Sequence, residues 1–201
     1  NANVATGAEG AANAAEVAAS VASRLGVDAG EVLLASTGVI GRQYPMDRIR
    51  AGIAALPSPL PGNDADDVAR GIMTTDTVHK IHSARVAGSD ATVVGVAKGV
   101  GMIEPDMATL IAMVFTDAEV AAADLDTVFR RIIDRTLNCV SVDTDTSTSD
   151  TAVVLASGAA GAVDPGSFET APHEVLLSLT RQVARDGEGA ETLIEIGRAH
   201  V

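Results

Sequence analysis

The strongest constraint on the fold is the run Lys98 to Leu110, KGVGMIEPDMATL, which joins two apolar segments, Thr92 to Ala97 and Leu110 to Phe115. Each segment reads as a buried strand, because a short, continuous run rich in Val, Ile and Ala suits a position covered on both faces. Gly99 and Gly101 open backbone angles closed to other residues. Pro105 fixes its own φ and pushes Glu104 into an extended conformation. The connection is therefore permissive at one end and rigid at the other, and Thr109 opens the second strand with its hydroxyl at the mouth of a core.

The chain around this turn is long enough for a core. With 201 residues and 47% hydrophobic content it reads as one compact α/β unit, packed from Val, Ile, Leu and Ala because it holds no Trp, one Tyr and three Phe. A formal net charge of −13 argues against nucleic acid, since no basic stripe exists to displace phosphate counterions. The lone Cys139 makes no internal disulfide, fits a reducing cytoplasm and reads as a small buried hydrophobe. No apolar run approaches membrane-spanning length, and the alanine-rich start lacks the pattern of a signal peptide.

Helices and strands alternate along the chain. Thr6 and Glu9 have capping-box spacing ahead of an apolar face at Ala14, Val17, Ala18, Val21 and Leu25, which Gly26 ends. Glu31 to Ala35 reads as a short strand running into the turn Ser36-Thr37-Gly38-Val39-Ile40-Gly41. Pro45 starts a helix with Met46, Ile49 and Ile53 on one face, and Pro57 to Asn63 breaks the chain into a loop. A helix from Asp64 to Met73, with Val68, Ala69 and Ile72 inward, delivers the polar loop Met73-Thr74-Thr75-Asp76-Thr77.

Beyond the central turn, Leu125, Val128, Phe129, Ile132 and Ile133 form a helical apolar stripe. Strands are expected at Cys139 to Val142 and, buried, at Val153 to Ala156, followed by a Gly/Ala loop to Gly166. Val175, Leu176, Leu179 and Val183 define a last helix starting at Pro172, followed by Asp186-Gly187-Glu188-Gly189-Ala190. A final strand is expected from Thr192 to Ile196.

Several motifs fail on inspection. His79 and His82 lie three apart but lack a third ligand for a metal. Gly99-Val100-Gly101 has no further glycine or Gly-Lys-Ser/Thr for a phosphate loop. The Asp143 to Asp150 run has Thr148 where a calcium loop needs Gly and Val154 where it needs Glu. No metal site is expected.

The segment Ala97 to Leu110 resembles the self-cleavage segment of the ornithine acetyltransferase family, also called glutamate N-acetyltransferases. The resemblance extends to the Thr37-Gly38 turn, the Thr-Thr-Asp-Thr run at Thr74, Lys98, the Asp-rich run after Asp143 and the Gly-Glu-Gly at Glu188. It implies an α/β fold of sheets covered by helices, an αββα-like architecture incomplete at both ends. It also implies a cut between Ala108 and Thr109. Residues 1–108 would then form the C-terminal part of one chain and 109–201 the N-terminal part of another, and a heterotetramer of two such pairs is expected.

By the same resemblance, Thr109 is the nucleophile, Thr37 and Gly38 form the oxyanion hole, and Thr74, Lys98, Thr109 and Glu188 bind substrate. The chemistry suits the residue: a threonine hydroxyl needs a base within reach, and cleavage supplies the α-amine, whose ordinary pKa is roughly 7.7 to 8. The implied reaction moves an acetyl group from N-acetylornithine to glutamate through an acetyl-threonine, with no cofactor. Acetyl-CoA serves some relatives as a donor, and relatives in secondary-metabolite clusters differ in acceptor.

Two other readings fit the same turns: a self-processing aminopeptidase or amidohydrolase, and a non-catalytic small-molecule-binding domain. Glu191-Thr192 departs from the usual Thr-Lys, and residues 197–201 do not resemble the family's continuing strand. The first residue is Asn rather than Met, and an internal fragment of an enzyme about twice as long, with little activity by itself, is expected.

Overall fold

The computed structural model describes residues 1–57, 59–60, 64–104, 107–108 and 110–197. The chain divides into two compact units, Asn1–Asp64 and Ala65–Val201, where the sequence reads as one. The division falls just after the Pro-rich break.

In the first unit, α1 (Gly7–Leu25) ends as expected: Gly26 takes φ +74°, and its amide returns to the Ala22 carbonyl at 2.8 Å. Its start differs, because the Thr6 hydroxyl donates to Asn3 Oδ1 at 2.9 Å and does not cap the helix. Thr6 and Asn3 lie over Gly10, where any Cβ would collide with them. The helix α2 (Met46–Ala55) follows Pro45 and packs on α1, joined by the Arg50–Glu16 ion pair at 2.6 Å. No strand forms at Glu31 to Ala35. That stretch begins with a 3-10 turn, Ala29–Glu31, and leaves Leu33 72% exposed, because no described segment runs alongside to complete its hydrogen bonds.

The second unit is a mixed α/β fold with its sheet flanked by helices. The helix α3 (Ala65–Gly71) buries Ala69 but leaves Val68 at the surface, since only one narrow stripe of this short helix meets the sheet. Strands β1 (Lys80–Arg85) and β2 (Thr92–Lys98) follow, then the small antiparallel pair β3 (Ile103–Glu104) and β4 (Met107–Ala108), in which Ile103 faces Ala108. The pair lies inside the turn that dominates the sequence. Pro105, to which that turn's rigidity was traced, lies outside the described residues.

Strand β5 (Ile111–Glu119) leads to α4 (Ala122–Ile133), which carries the chain over to β6 (Thr151–Ala162). A crossover of this kind is what a parallel pair requires, and β6 is parallel to β5 while β1, β2 and β5 are antiparallel. The described strands of this sheet run in the order β1-β2-β5-β6. A turn of helix, α5 (Pro165–Phe168), is capped by Asp164 accepting the Ser167 amide at 2.9 Å. It precedes α6 (Thr170–Arg185), which starts two residues before the expected Pro172.

The core lies between the sheet and α4 and α6. Val93, Ala112 and Val114 meet Ile132, Val175, Leu176, Leu179 and Val183, all buried. Gly95 is glycine for a steric reason: a Cβ there would come within 2.5 Å of Val175 Cγ1 and 2.8 Å of Leu179 Cδ1.

Other expectations are overturned. Residues 140–142 form no strand, because the Val142 amide is taken by the Ile103 carbonyl at 2.8 Å outside any ladder. Cys139 is exposed, in a 3-10 turn with its thiol toward the Asp134 carbonyl, since the helical stripe that points inward ends before it. Strand β6 continues through the presumed Gly/Ala loop and is half exposed, because in the described sheet it has a neighbour only at β5. Residues 192–196 form no strand, and Ile194 and Ile196 lie at the surface with no described strand to pair.

Candidate active site

In the first unit the turn at Thr37 is held from both sides. The Ser36 hydroxyl donates to the Ala2 carbonyl at 3.0 Å and accepts from the Tyr44 hydroxyl at 2.6 Å, while the Ala2 amide donates to the Val39 carbonyl at 3.0 Å. Gly38 takes φ +123°, a conformation that favours glycine, and a Cβ would sit 3.2 Å from the Asn1 nitrogen. Among the described residues neither the Thr37 hydroxyl nor the Gly38 amide has a hydrogen-bond partner, so both donors are available to a ligand oxygen. Donors held in this way suit a developing oxyanion.

In the second unit three loops meet at one end of β2. Thr74 to Thr77 enters β1, Lys98 to Gly101 leaves β2, and Asp186 to Ala190 leaves α6. Between the first and third lies a cleft of about 370 Å³, lined among others by Thr75, Thr77, Val100, Asp186 and Glu188.

Their junction is a buried charge cluster. Asp76 accepts the Lys80 ammonium at 2.7 Å and the Gly99 amide at 2.8 Å on Oδ1, and the Thr74 amide at 3.1 Å on Oδ2. Lys80 reaches across to Asp186 Oδ2 at 2.6 Å, and Asp186 also accepts the amide and hydroxyl of Thr77. Burial alone would raise both carboxyls. For Asp76 the Lys80 hydrogen bond and the two amides outweigh it, for Asp186 the Lys80 and Thr77 hydrogen bonds do, and both groups are held below their ordinary range.

Lys98 is 2% exposed, although a surface place is usual for lysine, and among the described residues its ammonium has no hydrogen-bond or ion-pair partner. Burial pushes it below the ordinary lysine range; Asp76 opposes this, Lys80 adds to it, and Asp150 opposes it. A cation so placed has strong reason to meet a carboxylate.

The third loop is tied to the turn by the Glu188 amide, which donates to the Val100 carbonyl at 2.5 Å. Glu188 Oε2 lies 2.6 Å and Asp143 Oδ2 3.5 Å from where a Gly101 Cβ would stand. Gly101 thus admits the Glu188 carboxylate. Thr74 is exposed on the facing loop. Thr74, Lys98 and Glu188 are therefore carried on three loops that the hydrogen bonds join. Ala108 ends β4, and Thr109 lies outside the described residues.

Sequence reasoning missed Lys80 and Asp186, which sit at the centre of this junction. The i, i+4 spacing of Asp76 and Lys80 was the available signal, but β1 itself went unread because Lys-Ile-His-Ser-Ala-Arg lacks a clean apolar alternation. The two histidines do not pair: His79 Nε2 is 2.7 Å from Asp66, and His82 Nε2 is 3.6 Å from Glu174.

The ArgJ family profile matches residues 1–199. The glutamate N-acetyltransferase Oat2 of Streptomyces clavuligerus is 57% identical over 196 residues, covering 98% of this chain and 49% of that protein. The arginine biosynthesis bifunctional protein ArgJ of Rhodococcoides fascians is 58% identical over 194 residues, covering 96% and 47%. Among solved structures, the crystal structure of arginine biosynthesis bifunctional protein ArgJ from Bacillus halodurans matches with a TM-score of 0.44 and 40% identity, over 50% of this chain and 54% of that one. The chain spans about half the length of the curated relatives it matches.

Proposed function

The chain belongs to the ArgJ family, and we propose that it carries the central part of a glutamate N-acetyltransferase site of arginine biosynthesis, with N-acetyl-L-ornithine as donor and L-glutamate as acceptor. The observation that carries the reading is Lys98, a buried ammonium without a described hydrogen-bond partner beside the loops of Thr74 and Glu188. Both substrates are amino acids, and a carboxylate of either matches that cation.

The parent polypeptide cuts itself between Ala108 and Thr109, leaving residues 1–108 at the end of one chain and 109–201 at the start of the other. Thr109 Oγ attacks the acetyl carbonyl of N-acetylornithine, its proton passing to the freed α-amine of Thr109. The hydroxyl of Thr37 and the amide of Gly38 hydrogen-bond the oxyanion. Collapse expels ornithine, whose amine takes that proton, and leaves an acetyl-threonine ester. The amine of glutamate then attacks the ester, N-acetylglutamate departs, and a proton returns to Oγ. Thr74, Lys98 and Glu188 orient the two amino acids.

No cofactor enters this sequence; acetyl-CoA would enter as an alternative donor to the same threonine. A cytoplasmic enzyme of two α and two β chains completes the reading. Among the described residues no helix is long and apolar enough to cross a membrane.

The test uses a polypeptide extended to the length of the curated relatives. Intact mass under denaturing conditions should show two fragments split at Ala108–Thr109, absent in Thr109→Ala, and labelled N-acetylornithine should leave acetyl on Thr109. Added glutamate should accelerate ornithine release. Release indifferent to glutamate would replace transfer by hydrolysis, and an uncut wild-type chain would sink the self-activation.

A further inference from the structure

The Asp76–Lys80–Asp186 bridge lies outside the roles assigned above. Its three side chains are buried, and it joins residues 76, 80 and 186, the last more than 100 positions from the others. Such a bridge is rarely the cheapest way to stabilise a fold, since desolvating the charges offsets much of their attraction. Asp186 is moreover an anion at the C-terminal end of α6, where the helix dipole disfavours it, so Lys80 must offset that as well.

Two features show what the bridge accomplishes. Asp76 takes amides from both loops at once, Thr74 on one oxygen and Gly99, next to Lys98, on the other. Formally the bridge carries one net negative charge, and Lys98 beside it carries one positive. We propose that Asp76 is a positioning residue for substrate recognition: through the buried bridge it fixes the Thr74 loop and the Lys98 turn in one geometry, and it places an anion beside the Lys98 ammonium. The inference rests on the reading of Lys98 as the substrate-carboxylate contact. An asparagine could not replace Asp76, because its amide group would face a donor, either Lys80 or the Thr74 amide.

Among the described residues the charges acting on Lys98 are Asp76, Lys80 and Asp150, and Asp186 stands one step behind Lys80. This separates Asp76 from Asp186. Either loss breaks a buried ion pair with Lys80, but only the loss of Asp76 removes an anion acting on Lys98.

The experiment compares Asp76→Asn, Asp186→Asn and Asp76→Glu in the full-length polypeptide. Trace labelling of lysine by acetic anhydride across pH, read by peptide mass, gives the Lys98 midpoint without using activity. Glutamate kinetics give the alkaline limb of 1/KM. In Asp76→Asn the midpoint and the limb both move to lower pH by about one unit, and KM rises roughly tenfold, while kcat at saturating glutamate stays within about twofold.

Asp186→Asn moves the midpoint by less than about a third of that, and Asp76→Glu keeps it while raising KM, because the charge remains and the carboxylate is displaced. An unmoved midpoint in Asp76→Asn, or equal movement in the two Asn variants, overturns the proposal. Should Asp76→Asn not fold, a midpoint in Asp76→Glu far from wild type, or an unchanged KM there, overturns it. Wild-type protein that transfers nothing to glutamate would sink the acetyl-transfer reading instead, and the labelling would still decide whether Asp76 governs Lys98.

Discussion

The Asp143 carboxylate holds the backbone at Met102: its two oxygens accept the amides of Met102 and Ile103 at 2.6 and 2.9 Å, and Met102 sits at φ +55°. A left-handed methionine costs about 1 to 2 kcal/mol, so the turn before β3 is strained and Asp143 offsets that strain. Forty residues away in sequence, the Asp-rich run thus acts on the segment that ends at Ala108.

Asp143→Ala should lower stability by about 1 to 2 kcal/mol, a figure set below that of a buried charge-assisted pair because the side chain is largely solvated. In the full-length polypeptide it should also slow the appearance of the two fragments. Urea denaturation and a time course of intact mass check both. Unchanged processing would show that the strain at Met102 is not transmitted to the cleavage segment.

Gly101→Ala should behave differently. The new methyl is crowded by the end of the Glu188 side chain, which can swing away, and meets Asp143 Oδ2 at an ordinary 3.5 Å, so the unfolding midpoint should change little. The displaced carboxylate should raise KM for the amino-acid substrates several-fold, and a large stability loss with normal KM would contradict this.

At Gly95 the obstacle is a packed helix. A methyl there collides with Val175 and Leu179, both fully buried, and the core has no slack to receive it. Gly95→Ala should destabilise by roughly 1 to 3 kcal/mol in chemical denaturation. A neutral result would mean that α6 can lift off β2.

Acid should unfold the second unit through its depressed carboxyls. Asp76 and Asp186 ionise below the ordinary value of 3.8 in the folded protein, so the unfolded chain binds protons first as pH falls. Their contribution is complete above that value and disappears as pH drops through their lower folded values. Denaturation midpoints between pH 3 and 7 should stay level near neutrality and then fall, with a shallower acid slope in Asp186→Asn. An identical slope in the variant would show that Asp186 takes no part.

The sequence alone determined what depends on near neighbours. The 3.6-residue stripes foretold α1, α2, α4 and α6, the apolar runs foretold β2 and β5, and the ordered motifs at Thr37, Thr74, Lys98, Thr109 and Glu188 identified the family. Tertiary structure alone decided what depends on partners far along the chain. Strand β1 exists because its polar residues pair with β2, residues 31–35 are not a strand because nothing described pairs with them, and β6 runs past its apolar segment because β5 continues beside it. Lys80 has in its sequence neighbourhood only the i, i+4 spacing to Asp76 to mark it. It is buried because Asp186, 106 positions away, is brought to it by the packing of α6 on the sheet and joins Asp76 in pairing its ammonium.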